Sequence, residues 1–158
     1  MRLSLVELGL LLAALVVAAT ALPRCSGGGV RRVVRASWTL TPGVLNPDVT
    51  QANVAMTICR HGWTRTVRPP VSYTNALKAT GLKQYGLRGP PSAFQEDHLI
   101  SLELGGNAVD PRNLWPEPYP RAAAVDRIEN DLNHRVCTGS LSLADAQQRE
   151  SALKHTDG

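Results

Sequence analysis

Apolar positions along the chain fall into three kinds of run, and each predicts a different element. From Leu8 to Val17 the apolar residues are unbroken. Further on they recur at helical spacing: Val54 and Ile58, then Tyr73, Leu77 and Leu82, then Val125, Ile128, Leu132 and Val136. Turn chemistry brackets these segments. Thr50 can cap a helix to about Cys59, with Gly62 beyond its end, and Ser72 can cap a second helix stopped by Gly86. A third helix is expected from about Arg121 to Val136, ended by Thr138-Gly139. Ser142 then caps a last helix from Leu143 to Leu153. Between the second and third helices the pattern changes. Phe94 to Leu104 reads as a strand, Gly105-Gly106-Asn107 as its turn, and Asn113-Leu114-Trp115 as a short return strand cut off by Pro116, Pro118 and Pro120. The expectation is an α+β fold built on one hairpin followed by a helix, with additional packing helices.

The first run carries a message about location. Arg2 precedes it, and small residues ending in Ala19-Thr20-Ala21 follow, which is the order of a secretory signal. Residues 1–21 are therefore expected to be an export signal and 22–37 a flexible leader, since Ser26-Gly27-Gly28-Gly29 makes ordering costly. Residues 38–153 form the domain and 154–158 a frayed tail. The destination is outside the cytoplasm, secreted or in the cell envelope or periplasm. The alternative is an uncleaved N-terminal helix that anchors the protein to a membrane. A lipid anchor at Cys25 is set aside, because Arg24 stands where processing wants a small residue.

An oxidising destination gives the cysteines meaning. Cys59 and Cys137 lie in ordered segments and Cys25 in the glycine-rich leader, so a Cys59–Cys137 disulfide is expected, worth ~2–4 kcal/mol. The formal charge of +4 from 17 basic and 13 acidic residues is compatible with a phosphate-rich partner. Removing the signal takes away one residue of each sign and leaves that balance unchanged. Arg68, Arg112 and Arg121 are the basic residues put forward for phosphate contact. Trp38, Trp63 and Trp115 are read as packing residues before base-stacking platforms.

Chemistry points to Asp97 and His98. A carboxylate can hold a hard cation, and an imidazole beside it can take a proton from water. On a regular strand the two side chains face opposite ways unless a bend brings them to one site. Helix phase decides the next candidate. Asn133 lies beside the apolar stripe on the side of Glu129 and Cys137, whereas His134 falls opposite Leu132 and faces solvent. His61 and His155 are read as loop and tail residues.

Glu96-Asp97-His98-Leu99-Ile100-x-Leu102-Glu103-Leu104-Gly105-Gly106 followed by Asp110-Pro111-Arg112-Asn113-Leu114-Trp115-Pro116-Glu117 resembles the core of HNH endonucleases. More narrowly it resembles small exported bacterial proteins of that superfamily, over about Leu40 to Gln147. The resemblance implies a ββα-metal fold and metal-dependent hydrolysis of phosphodiester bonds in nucleic acid. By position, His98 would be the general base and Asn113 would orient the His98 loop. Asp97 and Asn133 would bind one divalent ion, Mg²⁺ or Mn²⁺ ahead of Zn²⁺ or Ni²⁺. DNA is placed ahead of RNA as the partner. Two departures stand out: Ser101 where such motifs commonly have proline, and Asn133 where histidine is the stronger ligand. The competing expectation is a secreted, non-catalytic binding module that keeps the fold.

Overall fold

The computed structural model describes residues 33–119 and 121–157, and these form one unit. The expected export signal, most of the leader and Cys25 lie outside the described residues. No helix among the described residues is long and apolar enough to cross a membrane.

A 3₁₀ turn over Gln51–Met56 comes first, with the Thr50 N–H donating to Asn53 Oδ1 at 2.8 Å. Two helices follow, α1 (Trp63–Val67) and α2 (Val71–Gln84). The chain then forms an antiparallel pair, β1 (Phe94–His98) and β2 (Leu114–Pro118), with His98 opposite Leu114 and Phe94 opposite Pro118. Helix α3 (Arg121–Cys137) and helix α4 (Leu143–Ala152) complete the order, and α4 runs on into a π-helical turn, Leu153–Asp157. The architecture is mixed helix and small antiparallel sheet, as the periodicities imply.

Several local expectations change. The strand expected from Phe94 to Leu104 stops at His98, and Leu102–Leu104 is a 3₁₀ turn. The return strand runs through Pro116 and Pro118 instead of ending at them. Those two residues are two apart, so their ring nitrogens face the same side. The alternate side does the pairing, as shown by the Tyr119 N–H donating to Ala93 O at 3.0 Å. A two-stranded sheet has a free edge on each strand, and proline is tolerated there. The helix expected from Thr50 to Cys59 is only the 3₁₀ turn, and α2 starts at Val71, with Pro70 and not Ser72 in the capping position. Ile128, placed in the buried stripe of α3, is 41% exposed.

The larger correction concerns the ends of the domain. Lys154 and His155, expected in a frayed tail, are 0% and 5% exposed. The Ala36 N–H donates to Lys154 O at 3.0 Å, so the ordered domain begins before Trp38 and closes on its own C-terminal turn. His155 Nε2 lies 3.0 Å from Thr41 O, and its ring stacks on Trp38 with centroids 3.5 Å apart.

Leu132, Val136, Leu143 and Ala146 pack with Val49, Ile58, Ile100 and Leu104 into the main core. A smaller cluster joins Ala36, Leu99 and Trp115. Trp115 is fully buried and Trp63 packs against the main core, whereas Trp38 is 61% exposed. The expected disulfide is present. Cys59 and Cys137 bridge with Cα atoms 5.5 Å apart across 78 residues and tie the end of α3 to the first core segment.

Candidate active site

The hairpin connection is unusually constrained. Gly105 has φ +76°, a left-handed conformation that suits glycine. Gly106 is needed for a different reason: a Cβ there would sit 1.7 Å from the Ile100 carbonyl oxygen. That close approach lets one buried side chain fasten the whole loop. Asn113, fully buried, accepts the Ile100 N–H at 3.0 Å and donates to Ile100 O at 3.0 Å and Asn107 O at 2.9 Å. It also accepts the Val44 N–H at 3.3 Å. The contacts to Ile100 and Asn107 fix the backbone of the segment that follows His98, and the one to Val44 ties it to an earlier part of the chain.

His98 is 6% exposed, and its Nε2 lies 3.0 Å from Ala108 O. A carbonyl can only accept, so Nε2 carries the proton and Nδ1 is the unprotonated nitrogen, with no partner among the described residues. Burial holds the imidazole below its ordinary pKa, against the opposing pull of the Ala108 hydrogen bond and the Asp97 charge. His98 is therefore neutral near pH 7, the state a general base needs.

A cavity of about 340 Å³ lies against this ring. His98, Asp97, Ser101, Asp126, Glu129 and Arg68 all contribute to its wall. Asp97 and His98 thus border one space although they are neighbours in sequence, because β1 ends at His98. Oxygens of Asp97, Asp126 and Glu129 lie within 4.8 Å of one another. Three carboxylates at that separation form an all-oxygen donor set of the kind hard divalent cations accept. The Ser101 hydroxyl, in a residue 5% exposed, is also without a partner among the described residues.

Behind the carboxylates lies a buried ammonium. Lys154 Nζ is 2.8 Å from Asp97 Oδ2, 2.6 Å from Glu129 Oε1 and 3.2 Å from Glu150 Oε1, and it also donates to His98 O. Both Glu150 oxygens in turn accept the Ser101 N–H, at 2.9 and 3.0 Å. Burial alone would discharge Lys154, yet the charges of Asp97, Glu150 and Glu129 outweigh it and hold the lysine well above its ordinary range. Burial likewise pushes Asp97 up, but the Lys154 charge prevails, so Asp97 is held below its ordinary range and stays ionised. Glu117 goes the other way, raised to about 8 by burial and by the Asp97 charge.

Not every residue put forward from the sequence reaches this cavity. Asn133 donates to Glu103 O at 2.8 Å and to Ile58 O at 3.4 Å, and it borders a separate hollow beside the disulfide. Glu103 borders both hollows. Arg68 is exposed and lines the His98 cavity. Arg112 is exposed but engaged, donating to both Asp110 oxygens at 3.0 and 2.7 Å. Arg121 is half-buried and engaged, paired with buried Glu117 and donating to Leu153 O at 3.2 Å, and it does not line the cavity. His134 is exposed, as its helix phase requires.

Asp126, Glu129, Glu150, Lys154 and Ser101 are site residues that sequence reasoning does not single out. Two spacings could have signalled them. Asp126 and Glu129 are three apart on the helix face that carries Asn133, and Glu150 and Lys154 are four apart at the chain's end. Searches against protein-family models, curated proteins and solved structures return no match. The resemblance to HNH endonucleases consequently rests on its motif residues.

Proposed function

We propose that the protein is a metal-dependent phosphodiester hydrolase of the HNH type acting on nucleic acid outside the cytoplasm. The observation that carries this reading is the tautomer of His98. Its Nε2–H is tied to Ala108 O, so Nδ1 is the nitrogen left to accept a proton beside a carboxylate-lined cavity. A water molecule attacking phosphorus would pass its proton to Nδ1 as the new P–O bond forms and the ester P–O bond breaks. Asn113 contributes by holding the loop that sets the ring's position. Arg68, exposed and on the cavity wall, supplies positive charge for a phosphate oxygen. A bound divalent cation would supply charge against the phosphate and the leaving oxygen. The donor atoms are oxygens, which favours Mg²⁺ or Mn²⁺.

The disulfide is compatible with an extracellular or envelope location. Phosphodiester cleavage can rest on backbone contacts alone, so little sequence preference is expected, with DNA ahead of RNA. The second reading, a non-catalytic binding module, draws on Lys154, which already places a cation among the carboxylates.

The deciding experiment is incubation of the purified, disulfide-bonded protein with plasmid, single-stranded DNA and RNA, in Mg²⁺, Mn²⁺ or EDTA. Cleavage that needs the divalent ion and disappears in His98→Ala is the expected result. Cleavage surviving in His98→Ala removes the mechanism, and no cleavage under either ion moves the protein to the binding-module reading.

A further inference from the structure

We infer that the divalent cation is held by Asp97 together with Asp126 and Glu129 of α3, and that Asn133 is not a ligand. The inference rests on the hydrolase reading and deepens it by moving the helical half of the metal site by one to two turns. Asp126 and Glu129 share one face of α3, and their carboxylate oxygens lie within 4.8 Å of an Asp97 oxygen and of each other. Asn133 shares that face but is four residues past Glu129, about 6 Å further along the axis. Its amide nitrogen is engaged by the carbonyls of Glu103 and Ile58, which orients the side chain into the hollow beside Cys59 and Cys137. The position that histidine or asparagine holds in the resemblance is here a brace between α3 and two backbone segments.

An independent observation marks the same cavity as a ligand site. The Ser101 hydroxyl is buried in its wall and has no partner among the described residues. A buried hydroxyl without a partner carries a desolvation penalty, which a bound ion's hydration shell would relieve. Ser101 is not one of the three carboxylates, and its backbone is already held by Glu150, so its hydroxyl is not needed to shape the loop. Asp97, Glu129 and Glu150 surround the single ammonium of Lys154, and Asp126 is a fourth carboxylate that the lysine does not touch. The divalent ion would sit between Asp97, Asp126 and Glu129. Lys154 then holds the other faces of Asp97 and Glu129 in place and is a positioning residue.

The test uses Mn²⁺ alone as the probe, titrated into the disulfide-bonded protein and followed by the electron paramagnetic resonance of the free ion and by calorimetry. One Mn²⁺ per chain is expected. Asp126→Asn and Glu129→Gln should each weaken binding at least tenfold, and Asn133→Ala should change it less than twofold. Near-ultraviolet circular dichroism checks that each variant is folded. Because Glu129 also touches Lys154, half-exposed Asp126 is the deciding position if Glu129→Gln is damaged. Loss of binding in folded Asn133→Ala with binding intact in Asp126→Asn overturns the assignment, as does a folded wild type that takes up no Mn²⁺ at millimolar concentration. The two readings fail separately. Mn²⁺ bound through Asp126 without cleavage of any nucleic acid supports the site and removes the hydrolase. Metal-dependent cleavage with unchanged Mn²⁺ affinity in Asp126→Asn removes the site and leaves the hydrolase.

Discussion

The two halves of α3 are packed on opposite principles. Its C-terminal half buries Leu132 and Val136 in the main core and ends at Cys137, which is bonded to Cys59. Its N-terminal half places Asp126 and Glu129 beside a hairpin that presents Asp97 and His98, with Lys154 enclosed among them. The first arrangement gains from removing apolar surface from water and from restricting the unfolded chain. The second takes charges out of water, and mutual attraction offsets that desolvation only where geometry is good. Such a cluster is a poor way to stabilise a small domain, so its presence marks where chemistry is expected.

The sharpest way to break this contrast is Lys154→Met. Removing the ammonium strands buried carboxylates, so a loss of about 3–5 kcal/mol is expected in urea unfolding at pH 8. The sign of its pH dependence follows from the shifts. Asp97 is held low in the wild type, so its stabilisation is present above its ordinary pKa of 3.8 and is lost as pH falls through the folded value. Lys154 is held above its ordinary 10.5, so its contribution persists until pH rises past that value. Without Lys154, burial raises Asp97 and ionising it becomes a cost, so the variant's deficit should be smaller at pH 5 than at pH 8. Equal stability of variant and wild type at pH 8 would show that the lysine does not hold the charged half together.

The apolar half is probed by Cys59→Ser with Cys137→Ser, expected to lower stability by about 2–4 kcal/mol in thermal unfolding. Mn²⁺ affinity should be nearly unchanged, since neither cysteine lines the His98 cavity. A matched loss of metal binding would mean that the two halves are coupled. Asn133→Ala lies at their boundary and leaves the Glu103 and Ile58 carbonyls short of a donor, for about 1–2 kcal/mol by chemical unfolding. Arg112→Ala removes only an exposed pair with Asp110, and no resolvable change in chemical unfolding is expected. A larger effect of Arg112→Ala on cleavage than on stability would restore it as a phosphate contact.

Much of the fold is legible in the chain. The apolar spacing of α3, the Ser142 cap of α4 and the hairpin order follow from local chemistry and periodicity, and the pairing of Cys59 with Cys137 from the placement of the three cysteines along the chain. Asp97 with His98 can also be singled out there, as an adjacent carboxylate and imidazole, and Asn113 through the resemblance to HNH endonucleases. Two placements depart from expectation for one cause. Helix phase gives the face of α3 on which Asn133 lies, but not which of two hollows along that face the residue meets. A short, charged terminus usually frays, yet the last residues of this chain turn inward. Burial of Lys154 depends on Asp97, Glu129 and Glu150, which lie 57, 25 and 4 positions away along the chain.

Sequence alone therefore determined the elements, their order and the neighbouring residues capable of proton transfer, since those depend on interactions within a few positions. Only the tertiary structure decided which carboxylates converge, that a lysine sits buried among them, and that Asn133 turns elsewhere. A buried charge is stable only against partners brought from distant segments, and no local pattern reports where those partners will be.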